Sequence, residues 1–244
     1  MIKTIVLLRG LSRQSGHWAG FDTKLRDATG LNVVAIDLPG FGDRSHVRAP
    51  LSVYETAKNV KDLIAAQQLT DVCVLGISFG GMVAIEIGRQ WPLMARSLVV
   101  VNSSVAGLVP AWKRLSWTAT RAFMLAGLTR DPQKREKIIL GLISNLPVEQ
   151  GLLEDWAKIQ SKQPADLVAT ISQLLAAIIY KPRERPAIPM TVMASERDRL
   201  ASMACSQQLA YEWNCPIFIN QDAGHDLAID APDWTIDILQ REVL

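Results

Sequence analysis

The chain has 244 residues, 49% of them hydrophobic and 20% charged, a globular composition long enough for one large α/β domain with an insertion and too apolar for disorder. A formal net charge of +2 excludes the strong basicity of a general nucleic-acid binder. Three cysteines, Cys73, Cys205 and Cys215, show no disulfide-framework or metal-ligand spacing and read as small buried hydrophobes of a protein in a reducing compartment.

The first ten residues are too briefly apolar for a signal peptide, and no run reaches the roughly 18 apolar residues of a membrane span; the expectation is a soluble, cytoplasmic protein. Ile5–Leu8 reads as the first strand, followed by the loop Arg9-Gly10-Leu11. Val33–Ile36 is the second, closed by the turn Asp37-Leu38-Pro39-Gly40-Phe41-Gly42. Ser52–Gln68 reads as a helix with Ser52 as N-cap and Glu55 three residues on, a capping-box pattern. Further short strands are expected at Val72–Leu75, Leu98–Val101, Thr191–Met193 and Ile217–Ile219. Strands alternating with helix-period stretches predict an α/β fold with a mostly parallel sheet covered by helices on both faces.

That rhythm breaks over residues 107–186. Four apolar-periodic helices are expected there, Ala111–Leu128, Gln133–Asn145, Gly151–Lys162 and Ala165–Tyr180, with Pro132, Pro147 and Pro164 at the breaks. An ordinary crossover needs far fewer residues. Residues 1–106 and 187–244 are therefore expected to form the sheet core, and residues 107–186 a helical cap inserted into it.

Gly76-Ile77-Ser78-Phe79-Gly80 follows a strand and opens a helix, which is the context of a nucleophile elbow. Small residues at Gly76 and Gly80 let backbones pass at a sharp turn that lifts the serine hydroxyl above the strand end. The Phe79 amide, at a helix N-terminus, points at a developing oxyanion. On these residues the chain resembles the α/β-hydrolase family over nearly its whole length, the insertion being the least matched part. The Asp37–Gly42 turn matches a further family segment.

The resemblance implies the other site residues. His225, after the last strand and near the C-terminus, is the base expected by chain order. Together with Asp230 and Pro232 it resembles the family pattern H-x4-[DE]-x-P. His17 and His46 precede the nucleophile and are expected to have structural or substrate-lining roles. Asp198, in a stretch resembling G-x-x-D-x-[LV], is the expected acid, with Glu196 as alternative; Asn102-Ser103-Ser104 offers no carboxylate at the fold's other acid position. Leu11 is the expected second oxyanion amide. Arg9 stands where the family usually has His and is expected to face solvent or brace the loop.

A serine nucleophile implies acyl transfer rather than the carboxylate chemistry of dehalogenases and epoxide hydrolases. The expected activity is carboxylic ester hydrolysis. Trp18, Trp112, Trp117, Phe123 and Met124 are candidate lining residues of an acyl pocket; packing against the sheet is the alternative. Residues 107–187 carry 12 Lys or Arg against 7 Asp or Glu. Arg130, Lys134, Arg135 and Lys137 are therefore candidates to receive an acidic acyl carrier protein, as resemblance to the pimeloyl-carrier-protein methyl esterase type implies; a solvated face is the alternative. Two rival functions share the same residues: a cofactor-independent lyase of the menaquinone-pathway type, and a ligand receptor on the same fold. No metal or organic cofactor is expected, since neither a ligand-spaced cluster nor a dinucleotide fingerprint is present.

Overall fold

The computed structural model describes residues 1–244, the side chain of Ala111 excepted. Six strands, β1 (Thr4–Leu8), β2 (Asn32–Ile36), β3 (Val72–Ile77), β4 (Ser97–Val101), β5 (Met190–Ser195) and β6 (Ile217–Asn220), form one parallel sheet in the order β2-β1-β3-β4-β5-β6. Each contains the strand expected from the sequence. β1, β3, β4 and β5 are buried along their whole length, as apolar runs covered on both faces must be.

Alternation along the strands sorts side chains into two cores. Val6, Val74 and Val100 pack under α2 (Val53–Ala66), α3 (Phe79–Gln90) and α9 (Met203–Trp213). Leu7, Leu75 and Val99 pack under α1 (Phe21–Thr29) and α11 (Pro232–Glu242). Ser52 caps α2 as expected, its Oγ accepting the Glu55 amide at 3.1 Å. The Asp37 carboxylate gathers its loop, accepting the Ser15 amide at 2.5 Å and the Asp43 amide at 2.9 Å. The chain leaves β1 for β2 on one side and later takes up β3 on the other. The loops after β1 and β3 therefore meet at a topological switch point, where open α/β sheets offer a crevice.

Between β4 and β5 lie helices only: α4 (Ala111–Arg114), α5 (Trp117–Leu128), α6 (Pro132–Ile143), α7 (Gln150–Lys162) and α8 (Leu167–Ile179). They bury a cluster of their own around Leu140, Leu153 and Trp156, joined by Leu200 and Ala201 from beyond β5. The single helix expected over Ala111–Leu128 is two. At the break Leu115 pairs with Ala201, the Ser116 amide donates to the Leu200 carbonyl at 3.0 Å, and Ser116 Oγ caps α5 through the Ala119 amide. A tertiary strand-like contact thus overrides a continuous helical period. Among the described residues no helix is long and apolar enough to cross a membrane.

Candidate functional site

Ser78 is the one residue between β3 and α3, and it holds φ 55° and ψ −115°. A non-glycine residue in that region stores of order 1–3 kcal/mol and persists only when its surroundings fix it. They do. The Ser78 amide donates to the Val101 carbonyl at 2.8 Å, and Ser103 Oγ donates to the Ser78 carbonyl at 2.7 Å. A Cβ on Gly76 would lie 2.2 Å from the Gly80 carbonyl oxygen, and one on Gly80 2.3 Å from that of Leu8. The turn closes only with glycine at both positions. Gly10 brings the loop after β1 so near that a Cβ there would touch Ser78 Cβ at 3.1 Å.

His225 sits between β6 and α10 (Leu227–Asp230), buried. Its Nδ1 lies 2.7 Å from Asp198 Oδ2, while Asp198 Oδ1 accepts the Leu200 and Ala201 amides at 2.7 and 2.9 Å. With Asp198 accepting, Nδ1 carries the proton and Nε2 has a free lone pair. Burial, the largest influence, disfavours the imidazolium. The charge and hydrogen bond of Asp198, with Asp226, outweigh it and the opposing Arg9, so the pKa is raised above 6.5. Glu196 is exposed and has no part in this arrangement.

Arg9 is buried, which overturns the solvent-facing alternative and leaves bracing. Its Nη1 and Nη2 donate to the two Asp226 oxygens at 3.2 and 2.5 Å, and its Cζ stands 4.7 Å over the Trp18 ring. The pair ties the loop carrying Gly10 and Leu11 to the loop carrying His225. Trp18, stacked on Phe21 below the guanidinium, is absent from the lining of the cavity that holds Ser78 and of the one beside it, contrary to the sequence expectation.

Sequence reasoning also missed Asn102, seeing at its position only a lack of carboxylate. Its Nδ2 donates to Ser195 Oγ at 2.9 Å and to the His225 carbonyl at 2.8 Å, and its Oδ1 accepts the Ser195 amide at 2.8 Å. A polar residue straight after an apolar strand was the available signal. Asp230 accepts the Gly224 and Asn145 amides, each at 2.7 Å, fastening the His225 loop to the end of α6. His17 is buried, kept well below its ordinary pKa by burial and by Arg13 and Arg9, and packs edge-on to Trp156 at 4.9 Å. Its role is structural. His46 is exposed.

Ser78 and His225 share a cavity of about 170 Å³ with Gly10, Leu11, Phe79 and Asn102. No hydrogen bond joins Ser78 Oγ to His225 among the described residues. Phe123, Ile139 and Leu174 from the helical segment line this cavity and also a second, of about 470 Å³, that runs between α5 and α8 past Met124 and Leu128. Phe123 and Met124 thus lie where the sequence expected pocket residues. Trp112 and Trp117 do not: they are 79% and 76% exposed and line neither cavity. Arg130, Lys134 and Lys137 are exposed, but Arg135 turns inward and lines the second cavity, so the four do not make one surface patch. Among the described residues no group of three His, Cys, Asp or Glu side chains is arranged to hold a metal ion.

A parallel sheet in this order, with a strained serine between strand and helix and a histidine from beyond the last strand, defines an α/β protein with a hydrolase-like crevice. The sequence matches a model of the alpha/beta hydrolase family over residues 5–238, and the chain belongs to that family. An uncharacterised protein of Mycobacterium tuberculosis is 33% identical over 99 residues, 41% of this chain and 28% of that protein. A pimeloyl-[acyl-carrier protein] methyl ester esterase of Yersinia pseudotuberculosis is 33% identical over 123 residues, 50% of this chain and 43% of the esterase. The matches therefore span less than half of these relatives' length. An esterase from Exiguobacterium antarcticum superposes with a TM-score of 0.77 at 17% identity, covering 98% of this chain and 90% of that one, which shows the shared fold.

Proposed function

We propose that the protein is a carboxylic ester hydrolase in which Ser78 is the nucleophile, His225 the general base and acid, and Asp198 the carboxylate that fixes the imidazole. The observation that carries this reading is the strained Ser78 turn sharing one cavity wall with a histidine whose other nitrogen is held at 2.7 Å by a buried carboxylate. In the proposed reaction His225 Nε2 takes the Ser78 proton as Oγ attacks the ester carbonyl. Amides of Leu11 and Phe79 stabilise the oxyanion, and His225 returns the proton to the departing alcohol. Water, deprotonated by the same imidazole, then releases the acid and restores Ser78. The Ser78–His225 hydrogen bond forms with substrate in place, as such bonds commonly tighten in the Michaelis complex.

The apolar lining supplied by Leu115, Phe123, Ile139 and Leu174 suits an acyl chain, and two of the arginines at the cavity, Arg9 and Arg13, are paired with Asp226 and Glu136. The esterase activity named for the Yersinia relative extends the proposal to carrier-bound acyl esters, with exposed Arg130, Lys134 and Lys137 as the cations that would meet an acidic carrier. Residues 1–106 and 187–244 act in this reading as the catalytic body and residues 107–186 as the substrate-selecting cap. A chain-length panel of p-nitrophenyl and methyl esters tests it, with turnover expected for the protein and none for Ser78→Ala. Equal turnover by both would refute it. Charge reversal at Lys134 and Lys137 is expected to slow a carrier-bound ester while sparing its free methyl ester; equal rates on both would remove the carrier.

A further inference from the structure

The thirteen residues of α8 include no charged side chain, and the helix is turned the wrong way for water. Ala169, Ser172, Gln173 and Ala176 face inward and are buried, while Leu167, Val168, Ile171, Leu175 and Ile179, on one stripe at helical spacing, are 46–68% exposed. Hydrogen bonds fix this orientation. Gln173 Oε1 accepts the Ser12 amide at 3.0 Å, Ser12 Oγ and Thr170 Oγ1 are 2.9 Å apart, and Arg114 donates to the Ala177 and Ile178 carbonyls at the helix end. α5 repeats the inversion, burying Ala119 and Ala126 and exposing Trp117, Met124, Leu125 and Leu128. Arg121, one turn from Trp117 and from Leu125, is the single charged residue of that helix.

Met124, Leu128, Leu167 and Ile171 are exposed and also line the 470 Å³ cavity. The cavity therefore opens on this face and leads, through walls shared at Phe123 and Leu174, to the cavity at Ser78. The surroundings are cationic. The segment carries an excess of five positive charges while the rest of the chain is net negative. Lys113, Arg121, Arg130 and Lys181 are exposed and outnumber the two exposed carboxylates at the helix ends, Asp131 and Asp166, which cap α6 and α8.

From these observations we infer that the outward face of α5 and α8 docks on an anionic lipid bilayer surface. An aliphatic stripe without hydrogen-bonding groups, exposed tryptophans beside it and cations around it match, in turn, the acyl region, the interfacial layer and the phosphate headgroups. A second copy of the chain would set one cationic face against another. A soluble acidic partner would meet the cations but leave the aliphatic stripe without its complement. The inference goes beyond ester hydrolysis and is read without turnover.

The test is co-sedimentation of the full chain with phosphatidylcholine vesicles with and without about 30% phosphatidylglycerol, followed by tryptophan emission. Binding to the anionic vesicles with a blue shift is expected, weakened about tenfold or more by raised salt or by omitting the anionic lipid. The variant Val168→Ser/Leu175→Ser/Ile179→Ser, altered at exposed positions that line neither cavity, is expected to lose binding by about tenfold while keeping its circular dichroism and its turnover of a water-soluble ester. Trp112→Phe/Trp117→Phe is expected to lose the blue shift. No binding to anionic vesicles by the folded protein, or equal binding by the triple variant, would overturn the inference. So would a dimer that the triple variant dissolves, or capture of an acidic acyl carrier protein in place of vesicles.

Discussion

A Cβ added at Gly76, Gly80 or Gly81 would come within 2.2–2.8 Å of a neighbouring atom, whereas at Gly127, Gly141 and Gly151, in α5, α6 and α7, nothing lies within 4 Å. The first three hold the Ser78 turn between β1, β3 and α3; the others sit in helices of the segment between β4 and β5. The same contrast runs through the charged groups. Below the crevice, Arg9–Asp226 and Asp198–His225 are buried pairs with side chains no more than 6% exposed. Above it, most large apolar side chains of α5 and α8 face outward, Phe123 and Leu174 lining the cavities instead. The sheet half holds a few atoms in one arrangement, and the helical half provides a surface and a passage. The proposed hydrolysis places the chemistry that needs sub-ångström positioning on the first and selection among substrates on the second.

The largest effect expected from breaking this contrast is at His225. His225→Ala is expected to lower ester turnover by about 10⁴-fold with the fold retained, as removal of a triad member does. Asp198→Asn changes the pH dependence as well. In the proposed mechanism only neutral His225 serves as base, so kcat/KM is expected to fall as pH drops through a pKa raised above 6.5. Loss of Asp198 leaves burial dominant and moves that acid limb to lower pH. A kcat/KM profile of both proteins checks the direction, and an unmoved limb would separate Asp198 from His225.

Arg9→Met strands the Asp226 carboxylate in a buried site, and a loss of about 3–5 kcal/mol in denaturant stability is expected. The double change Arg9→Met/Asp226→Leu is expected to recover most of it, because the desolvated charge is gone. Gly76→Ala is expected to cost about 3 kcal/mol, from a Cβ overlapping the Gly80 carbonyl. Gly127→Ala, the matching change in the helical segment, is expected to add about 0.5–1 kcal/mol through helix propensity. Urea midpoints order these variants; a destabilising Gly127→Ala would remove the contrast between the two halves.

The sheet was legible because strands buried on both faces must be short apolar runs, and the Ser78 turn because its sterics admit only glycine at fixed offsets. Asp198, His225 and Asp230 are picked out through the resemblance to family segments, and a parallel sheet, which sends its loops to one end, brings those segments together. Periodicity says that a helix has an apolar stripe without saying whether it faces in or out, and α8 shows both the expected period and the opposite orientation. For the same reason Trp112, Trp117 and Trp18 read alike as pocket residues, yet two lie on the surface and one lies beneath Arg9. The break at Leu115 and Ser116 depends on Leu200 and Ala201, some 85 positions away in the chain, which no local pattern carries.

The central claim, that Ser78 is the nucleophile activated by His225, is tested most directly by mass spectrometry of the protein after reaction with a fluorophosphonate. One covalent adduct on Ser78 is expected, with none in Ser78→Ala and strongly slowed labelling in His225→Ala. An adduct on another residue, or unslowed labelling without His225, would contradict it.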